Sequence, residues 1–314
     1  MESAAPISRI ALVGAGLVGA SWAVVFARSG LAVRVYDLEP ARLPQARAQV
    51  RASLGALLEA DLLTEPAEIV AGRIAWCDTL ESALEGADYV QESIAEDVAA
   101  KRELFARLDA MATPQAVLAS STSAFPTSAF AGGLAGERRC LVVHPVNPPH
   151  LIPYVELCGS AVTAPETIDG ALRLMQRVGQ SPVHVREEVT GFLLNRLQWS
   201  LLAEACRLVA SGVVSPDAVD RALRDGLGRR WAFMGPFEVG DLNAPRGLGD
   251  YLRRFRPTIE AIDAASAAQP LQLDESLIAQ LDADAQQRLQ TPREMRIAAR
   301  ERRLLSLAKA LRDA

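Results

Sequence analysis

Histidine, cysteine and the aromatic residues are scarce in this chain: its 314 residues include three histidines and four cysteines, and 5% are aromatic. A metal site built from several histidines would need nearly all of His144, His150 and His184, whereas one acid–base histidine needs a single position. The cysteines stand far apart and form no C-x-x-C pair. We therefore expect no bound metal, and a reduced cytoplasmic protein with buried thiols.

An excess of positive charge is missing as well. Lysine and arginine number 33 against 38 aspartates and glutamates, which gives a formal net charge of −5. Because phosphate groups are bound by basic surfaces, this balance argues against a general binder of nucleic acid or of anionic membranes. Half of the residues are hydrophobic and 23% are charged, which is typical of a globular protein, and the length suggests two domains.

One stretch near the start has no charged residue from position 10 to position 27, and its 18 residues resemble a membrane-spanning helix or a signal peptide. Gly14, Gly16 and Gly19 divide it into a short apolar run, a turn and a helical run. This order predicts a strand, a turn and a helix at the start of a folded domain. We therefore expect no membrane anchor.

The pattern of the chain changes near residue 189. Before it, apolar runs that predict strands at 10–13, 32–36, 74–77, 89–92, 117–120, 141–144, 155–158 and 182–185 alternate with helical segments at 43–60, 99–111 and 165–178. After it, helices are predicted at 189–210, 216–223, 251–265, 275–289 and 292–311. The sequence therefore predicts an α/β fold: βαβ units forming a parallel, doubly wound sheet in residues 1–188, followed by an all-α domain in residues 189–314.

A G-x-G-x-x-G element covers Gly14 to Gly19, follows a predicted strand and opens a helix. The next predicted strand is followed by Asp37, which stands 21 residues beyond Gly16. Gly14 allows the tight turn, Gly16 lets the backbone approach a pyrophosphate at the helix N-terminus, and Gly19 allows close packing of helix on strand. Together these features predict a Rossmann-type domain that binds a dinucleotide.

The charge of Asp37 decides between the two nicotinamide cofactors. A carboxylate at this position accepts hydrogen bonds from the adenosine ribose hydroxyls and repels a 2′-phosphate, so we expect NAD rather than NADP. Arg34 and Arg42 are near enough in sequence to leave NADP open.

A candidate acid–base pair lies further along the chain, in HPVNPP at 144–149 and YVEL at 154–157. A histidine at the end of one strand and a carboxylate on the next can form an oriented pair, in which Glu156 fixes the tautomer of His144 and stabilises its protonated ring. We expect this pair to accept the proton of a substrate hydroxyl. The residues alone leave open a purely structural histidine.

With these motifs the chain resembles the 3-hydroxyacyl-CoA dehydrogenase family. The matching segments are the glycine element with Asp37, SSTS at 120–123, HPVNPP, the Val155–Glu156 pair, and GFLLNR at 191–196. Within the family it looks most like the lambda-crystallin branch, which includes L-gulonate 3-dehydrogenase, because of GLGRRWAF at 226–233 and the double proline after Asn147.

The resemblance implies a role for each matching residue. His144 would be the catalytic acid/base and Glu156 its partner, while Ser123 and Asn195 would hold the substrate oxygen near the histidine. The positions that match the lining of the family's NAD site are Leu17, Val18, Asp37, Glu96 and Lys101. The helical second domain of the family supplies much of a dimer interface, so we expect a homodimer.

The implied reaction is the NAD-dependent oxidation of a 3-hydroxy group on a small acid or its CoA thioester. Acyl-CoA members typically have asparagine where this chain has Ser121, which weakens a direct transfer of their substrate preference. The resemblance to the branch of L-gulonate 3-dehydrogenase implies a small free hydroxy acid as the substrate. Arg230 is our hypothesis for the carboxylate anchor, with a surface arginine beside Trp231 as the alternative. The alternative hypotheses are a short-chain 3-hydroxyacyl-CoA (3-hydroxybutyryl-CoA) dehydrogenase, a carnitine 3-dehydrogenase, or a non-catalytic structural protein.

Overall fold

An eight-stranded sheet organises the first part of the chain in this structure, a computed structural model that describes residues 7–313. Its strands are β1 (Arg9–Val13), β2 (Ala32–Tyr36), β3 (Ile74–Trp76), β4 (Tyr89–Glu92), β5 (Val117–Ser120), β6 (Cys140–Pro145), β7 (Tyr154–Gly159) and β8 (Ser181–His184). The spatial order is β3-β2-β1-β4-β5-β6-β7-β8. Strands β2 and β3 are added on one side of β1 and strands β4 to β8 on the other side, so the strand order reverses between the neighbours β1 and β4. The predicted doubly wound sheet is confirmed, and each predicted strand lies within one residue of an observed one.

One pair of strands departs from the predicted parallel sheet. Strands β6 and β7 are antiparallel, whereas every other neighbouring pair is parallel. The connection 146–153 contains no helix, and parallel neighbours need a longer crossover. The register of this antiparallel pair sets His144 directly opposite Glu156.

Fourteen α-helices accompany and follow the sheet within residues 7–313. They are α1 (Leu17–Arg28), α2 (Leu43–Glu59), α3 (Ala67–Ala71), α4 (Leu80–Leu84), α5 (Val98–Met111), α6 (Thr127–Ala131), α7 (Pro165–Arg177), α8 (Leu194–Ala210), α9 (Pro216–Arg221), α10 (Gly228–Trp231), α11 (Pro236–Leu242), α12 (Leu248–Ala268), α13 (Glu275–Arg288) and α14 (Arg293–Arg312). Side chains cap several of them: Asp97, Ser215 and Asp274 each accept a hydrogen bond from the backbone N–H three residues ahead.

The core lies on both faces of the sheet, as expected for strands covered by helices on each side. Ile10 and Leu12 of β1 belong to one hydrophobic cluster, and Ala11 and Val13 belong to the other. The uncharged stretch at 10–27 is explained by burial, because α1 is buried along nearly its whole length. No helix within residues 7–313 combines the length and low charge content needed to cross a membrane.

The chain divides into two compact units. The first runs to Arg196 and includes the C-terminal segment from Ala298, and the second is Leu197–Ile297. Within the first unit, Leu304 and Leu305 of α14 pack against the sheet's hydrophobic cluster, which explains why the end of the chain belongs to it. The domain limits 1–188 and 189–314 stay a prediction of the sequence.

The predicted helix at 189–210 was too long at its start. Helix α8 begins at Leu194, because Gly191 (φ 78°) and Phe192 (φ 47°) adopt left-handed backbone conformations that cannot continue into an α-helix. This turn has a consequence for the site, since the first backbone N–H groups of α8 are then free to bind a side chain.

The predicted buried thiols are present. Cys140, Cys158 and Cys206 are buried, Cys77 is half-buried, and all four are free. Burial raises the pKa of the Cys140 and Cys158 thiols to about 12, so both stay protonated and unreactive near neutral pH.

Candidate active site

The glycine loop between β1 and α1 has the geometry that a dinucleotide requires. Gly14 has φ +102°, and a Cβ atom placed on it would lie 2.5 Å from the carbonyl oxygen of Ser93. A Cβ on Gly19 would overlap the carbonyl oxygen of Gly14, whereas Gly16, the N-cap of α1, has open space around it. The first two helical residues, Leu17 and Val18, therefore present their N–H groups at an unobstructed helix N-terminus, which suits the pyrophosphate of NAD.

Asp37 lies just beyond β2, beside this loop. The residue is 7% exposed, and its carboxylate accepts hydrogen bonds from the backbone N–H of Ala15 (2.6 Å) and of Glu39 (2.9 Å). The two arginines that left NADP open are occupied elsewhere: Arg34 pairs with Glu85, and Arg42 pairs with Glu39. A 2′-phosphate would therefore be repelled by the fixed carboxylate of Asp37, and neither Arg34 nor Arg42 is unpaired to bind it. This arrangement favours NAD.

The predicted histidine and glutamate are in contact. His144 Nδ1 lies 3.1 Å from Glu156 Oε1, and the two side chains are 7% and 0% exposed. Because the carboxylate can only accept, the neutral ring carries its proton on Nδ1 and leaves the Nε2 lone pair free. The ring of Phe192 lies beside that of His144, with 5.9 Å between centroids.

The second oxygen of Glu156 is bound by the start of α8. Oε2 accepts hydrogen bonds from the backbone N–H groups of Leu193 (2.6 Å) and Leu194 (3.1 Å). The carboxylate thus joins the histidine to a helix N-terminus, which stabilises its negative charge without a buried counter-ion.

Ser123 is held through its backbone from two sides. Glu96 Oε1 accepts hydrogen bonds from the N–H groups of Ser123 and Ala124, both at 2.9 Å. Asn195 Nδ2 donates to the Ser123 carbonyl at 3.0 Å. The structure therefore brings together Ser123, Asn195 and Glu96, three of the predicted residues, while the exposed Ser123 hydroxyl makes no hydrogen bond within residues 7–313.

Lys101 contacts a carboxylate that was not predicted from the sequence, Glu92. The side chain of Lys101 is 1% exposed, and Nζ lies 2.8 Å from Glu92 and 3.4 Å from Glu96. Glu92 is fully buried at the end of β4 and also accepts a hydrogen bond from the Ser120 hydroxyl. The position of Glu92 at the end of an apolar strand could have indicated this contact, since a buried carboxylate needs a cation or several hydrogen-bond donors.

Arg230 belongs to the second unit. It lies exposed on α10, beside the exposed Trp231. Its role as a carboxylate anchor stays a prediction.

His150 is bound to the core rather than to the site. Its Nδ1 lies 2.5 Å from the Ser21 hydroxyl, and its carbonyl accepts a hydrogen bond from Arg28. Burial, assisted by the positive charge of Arg28, lowers the pKa of His150 from 6.5 to about 4. The ring is therefore neutral at pH 7.

This pKa predicts an acid-sensitive fold. Between pH 6.5 and pH 4 the unfolded chain binds a proton at residue 150 and the folded chain does not, so stability falls as the pH falls. We expect His150 to account for a loss of about 2 to 3 kcal/mol in unfolding free energy between pH 7 and pH 4.5. Urea unfolding at the two pH values should show a smaller loss in His150→Gln than in the wild type.

His184→Gln, at an exposed position of β8, controls for the loss of a histidine. Equal losses in the wild type and in His150→Gln would contradict the assignment of the acid sensitivity to His150.

Comparison with known proteins identifies the family of the chain. Residues 9–189 match the NAD-binding domain of 3-hydroxyacyl-CoA dehydrogenase and residues 191–280 match its C-terminal domain. The chain is 41% identical to a lambda-crystallin homolog of Bos taurus (88% of this chain, 89% of the relative) and 38% identical to an L-carnitine dehydrogenase of Streptomyces coelicolor (83% and 81%).

A solved structure is similar over nearly the whole chain. It is 5-formyl-3-hydroxy-2-methylpyridine 4-carboxylic acid 5-dehydrogenase, an NAD+-dependent dismutase, with a TM-score of 0.83, 26% identity and 98% of each chain covered. The glycine loop, the family domains and these relatives lead to one conclusion. The chain belongs to the 3-hydroxyacyl-CoA dehydrogenase family and is an NAD-dependent oxidoreductase that acts on CH–OH groups.

Proposed function

We propose that this enzyme oxidises the 3-hydroxy group of a small free hydroxy acid, as L-gulonate 3-dehydrogenase does, and that His144 and Glu156 are its acid–base pair. The observation that carries the proposal is the buried 3.1 Å contact between these two side chains. NAD supplies the hydride acceptor when it is bound. The remaining steps fall to side chains of the protein.

His144 is the general base in this mechanism. Its Nε2 lone pair accepts the proton of the substrate hydroxyl, and the positive charge that forms on the ring is stabilised by Glu156 at Nδ1. Because the other oxygen of Glu156 is bound by Leu193 and Leu194, the carboxylate cannot turn away from the ring without losing these two bonds. The pair is therefore oriented before the substrate binds.

Ser123 and Asn195 position the substrate oxygen. Glu96 and Asn195 fix the backbone of Ser123, which leaves its exposed hydroxyl to bind the reacting oxygen. Asn195 is 7% exposed, and its single donor contact to Ser123 leaves a second amide hydrogen for the substrate.

The loop and two carboxylates would hold the cofactor. Gly14, Gly16 and Gly19 would give its pyrophosphate access to the N-terminus of α1, and Asp37, which lies beside the loop, would accept hydrogen bonds from its ribose hydroxyls. The ammonium of Lys101 contacts both Glu92 and Glu96 and offsets one of their two negative charges, which would lower the repulsion between Glu96 and the phosphates of the cofactor.

A free acid is favoured over a thioester by the relatives. L-carnitine and the pyridine carboxylic acid of the two named dehydrogenases are free acids, and their names support this substrate class here. Ser121 in place of the asparagine of acyl-CoA members points the same way. The second candidate is 3-hydroxybutyryl-CoA, favoured by the description of the matching family domains.

The test is a parallel assay of NAD-dependent oxidation with L-gulonate, 3-hydroxybutyrate, L-carnitine and 3-hydroxybutyryl-CoA. We expect the largest kcat/KM with one of the three free acids. A clear preference for the thioester would replace the proposal by the second candidate, and no NADH formation with any of the four would contradict both.

Arg230 gives a prediction about substrate binding. If its guanidinium binds the carboxylate of a free acid, Arg230→Met should raise KM for that acid by about tenfold or more, because a charge-assisted bidentate pair is lost. KM for the thioester should change little. Arg229→Met is the matched control, because it removes the exposed arginine that directly precedes Arg230 in the sequence. Equal changes in KM for acid and thioester would contradict the anchor.

We also propose that the enzyme is a homodimer built on α12. From Leu252 to Ala265 every residue of this helix is exposed, although an isolated helix is only marginally stable in water. Leu252, Phe255, Ile259 and Ile262 are spaced three and four residues apart, so they form one apolar stripe. A second copy of the chain, packed on this stripe, would bury it.

Sedimentation should therefore show a particle of about twice the 33.7 kDa chain mass, as expected for a dimer. Ile259→Glu should shift the protein towards the monomer, because it puts a charge into the apolar stripe. Ala261→Glu adds the same charge on the opposite side of α12 and should leave the dimer intact. A wild-type monomer would contradict the proposal.

A further inference from the structure

Five side chains with no part in the proposed mechanism form a hydrogen-bonded network beside the glycine loop: Trp22 of α1, Tyr89 and Gln91 of β4, Ser93 just after β4, and Ser121 just after β5. Trp22, Tyr89 and Gln91 are fully buried, whereas Ser93 and Ser121 are half-buried. Buried polar groups in such a network need partners with matching donor and acceptor roles.

The contacts converge on the Ser121 hydroxyl. Its oxygen lies 2.8 Å from Gln91 Nε2, 3.2 Å from Trp22 Nε1 and 2.8 Å from Ser93 Oγ. Gln91 is itself bound at both ends of its amide group: Nε2 lies 3.3 Å from the carbonyl oxygen of Val143, and Oε1 accepts a hydrogen bond from the Tyr89 hydroxyl at 2.5 Å.

The direction of these hydrogen bonds follows from groups that have a single role. The Val143 carbonyl can only accept, so it must face the amide nitrogen of Gln91, and the indole N–H of Trp22 can only donate. Ser121 Oγ therefore receives two hydrogen bonds, which use both of its lone pairs. Its own hydrogen must go to the remaining partner, Ser93 Oγ.

Ser93 is left with a hydroxyl hydrogen that has no acceptor within residues 7–313. Its backbone is in close contact with the glycine loop, as the 2.5 Å approach to a Cβ on Gly14 shows. It also stands at the crevice between β1 and β4, where the strand order reverses and dinucleotides cross such sheets. Asp37 follows β2 on one side of this crevice, and His144 of β6 lies on the other side.

We propose that the Ser93 hydroxyl donates a hydrogen bond to the carboxamide oxygen of the nicotinamide ring of NAD. Asp37 assigns the adenosine half of the cofactor to the β2 side, so the nicotinamide half would lie on the side of β4, β5 and β6. Ser93 lies on that side, and the hydrogen bond from Ser121 leaves its hydroxyl hydrogen for another acceptor. The inference rests on the proposed function for the placement of the reacting ring beside His144. The buried network keeps Ser93 a donor, so it selects a carbonyl acceptor at this position.

The test compares two probes that differ by the nicotinamide group. NADH binding is measured by fluorescence titration and ADP-ribose binding by calorimetry, with wild type and Ser93→Ala. Loss of one neutral hydrogen bond should raise the Kd of NADH about three- to tenfold. The Kd of ADP-ribose should change by less than about twofold, since it lacks the carboxamide.

Two further variants serve as a rescue test and as a control. Ser93→Thr keeps the hydroxyl and should recover most of the NADH affinity, and Ser211→Ala, which removes a hydroxyl that bonds only to its own helix, should behave as wild type. Equal weakening of NADH and ADP-ribose, or no change in either, would overturn the role of Ser93. Neither readout needs a substrate, so a failure of the proposed function in the oxidation assays would be seen separately.

Discussion

His144→Asn is expected to lower kcat by about 10² to 10⁴, the usual contribution of general acid–base catalysis, while the Kd of NADH changes little. The asparagine amide can still donate a hydrogen bond towards Glu156, so the buried carboxylate keeps a donor and the fold is retained. What is lost is the lone pair of Nε2. Neither of the other two imidazoles replaces it, because the ring of His150 is bound to Ser21 and His184 is exposed at the end of β8.

The measurement is steady-state oxidation of the best hydroxy acid, together with NADH titration of the same preparation. His184→Asn, at an exposed position of β8, is the control for replacing a histidine and should keep wild-type kcat. If His144→Asn kept a kcat within about threefold of the wild type, His144 would not be the base, because that effect is far below the general-base range.

Much of the fold could be predicted because its signals are local. The glycine loop and the short apolar runs each lie within a few residues, so the eight strands and the longer helices could be placed from the sequence. The short helices α3, α4, α6, α10 and α11 were not predicted. The departures came from geometry that local patterns do not contain. The short link at 146–153 makes β7 antiparallel, and the left-handed residues Gly191 and Phe192 delay the start of α8.

The candidate site divides in the same way. The contact between His144 and Glu156 could be predicted, since the two residues lie near the end of β6 and near the start of the neighbouring strand β7. The bond from Glu96 to the backbone of Ser123 and the burial of Glu92 against Lys101 were not, because they join separate strand ends and a helix. Hydrogen-bond direction at Ser121 depends on four elements at once, and no spacing in the sequence encodes it.

Glu156→Gln should lower either kcat or the unfolding free energy, for a reason specific to the two contacts of this carboxylate. The carboxylate accepts hydrogen bonds with both oxygens, from His144 on one side and from Leu193 and Leu194 on the other. A glutamine has one carbonyl oxygen and one NH₂ group, so it can accept on only one side. Either orientation of its amide disrupts one of the two contacts.

If the NH₂ group faces His144, Nδ1 must become the acceptor, the proton moves to Nε2, and the base is lost; kcat should then fall by about 10² to 10⁴. If the NH₂ group faces Leu193 and Leu194, their backbone N–H groups lose their acceptor at the start of α8. The unfolding free energy should then fall by about 1 to 3 kcal/mol. Kinetics and urea unfolding of one preparation distinguish these cases. Glu103→Gln, at an exposed position of α5, makes the same chemical change without such contacts. Wild-type values of both kcat and stability in Glu156→Gln would show that the carboxylate neither sets the tautomer of His144 nor caps α8.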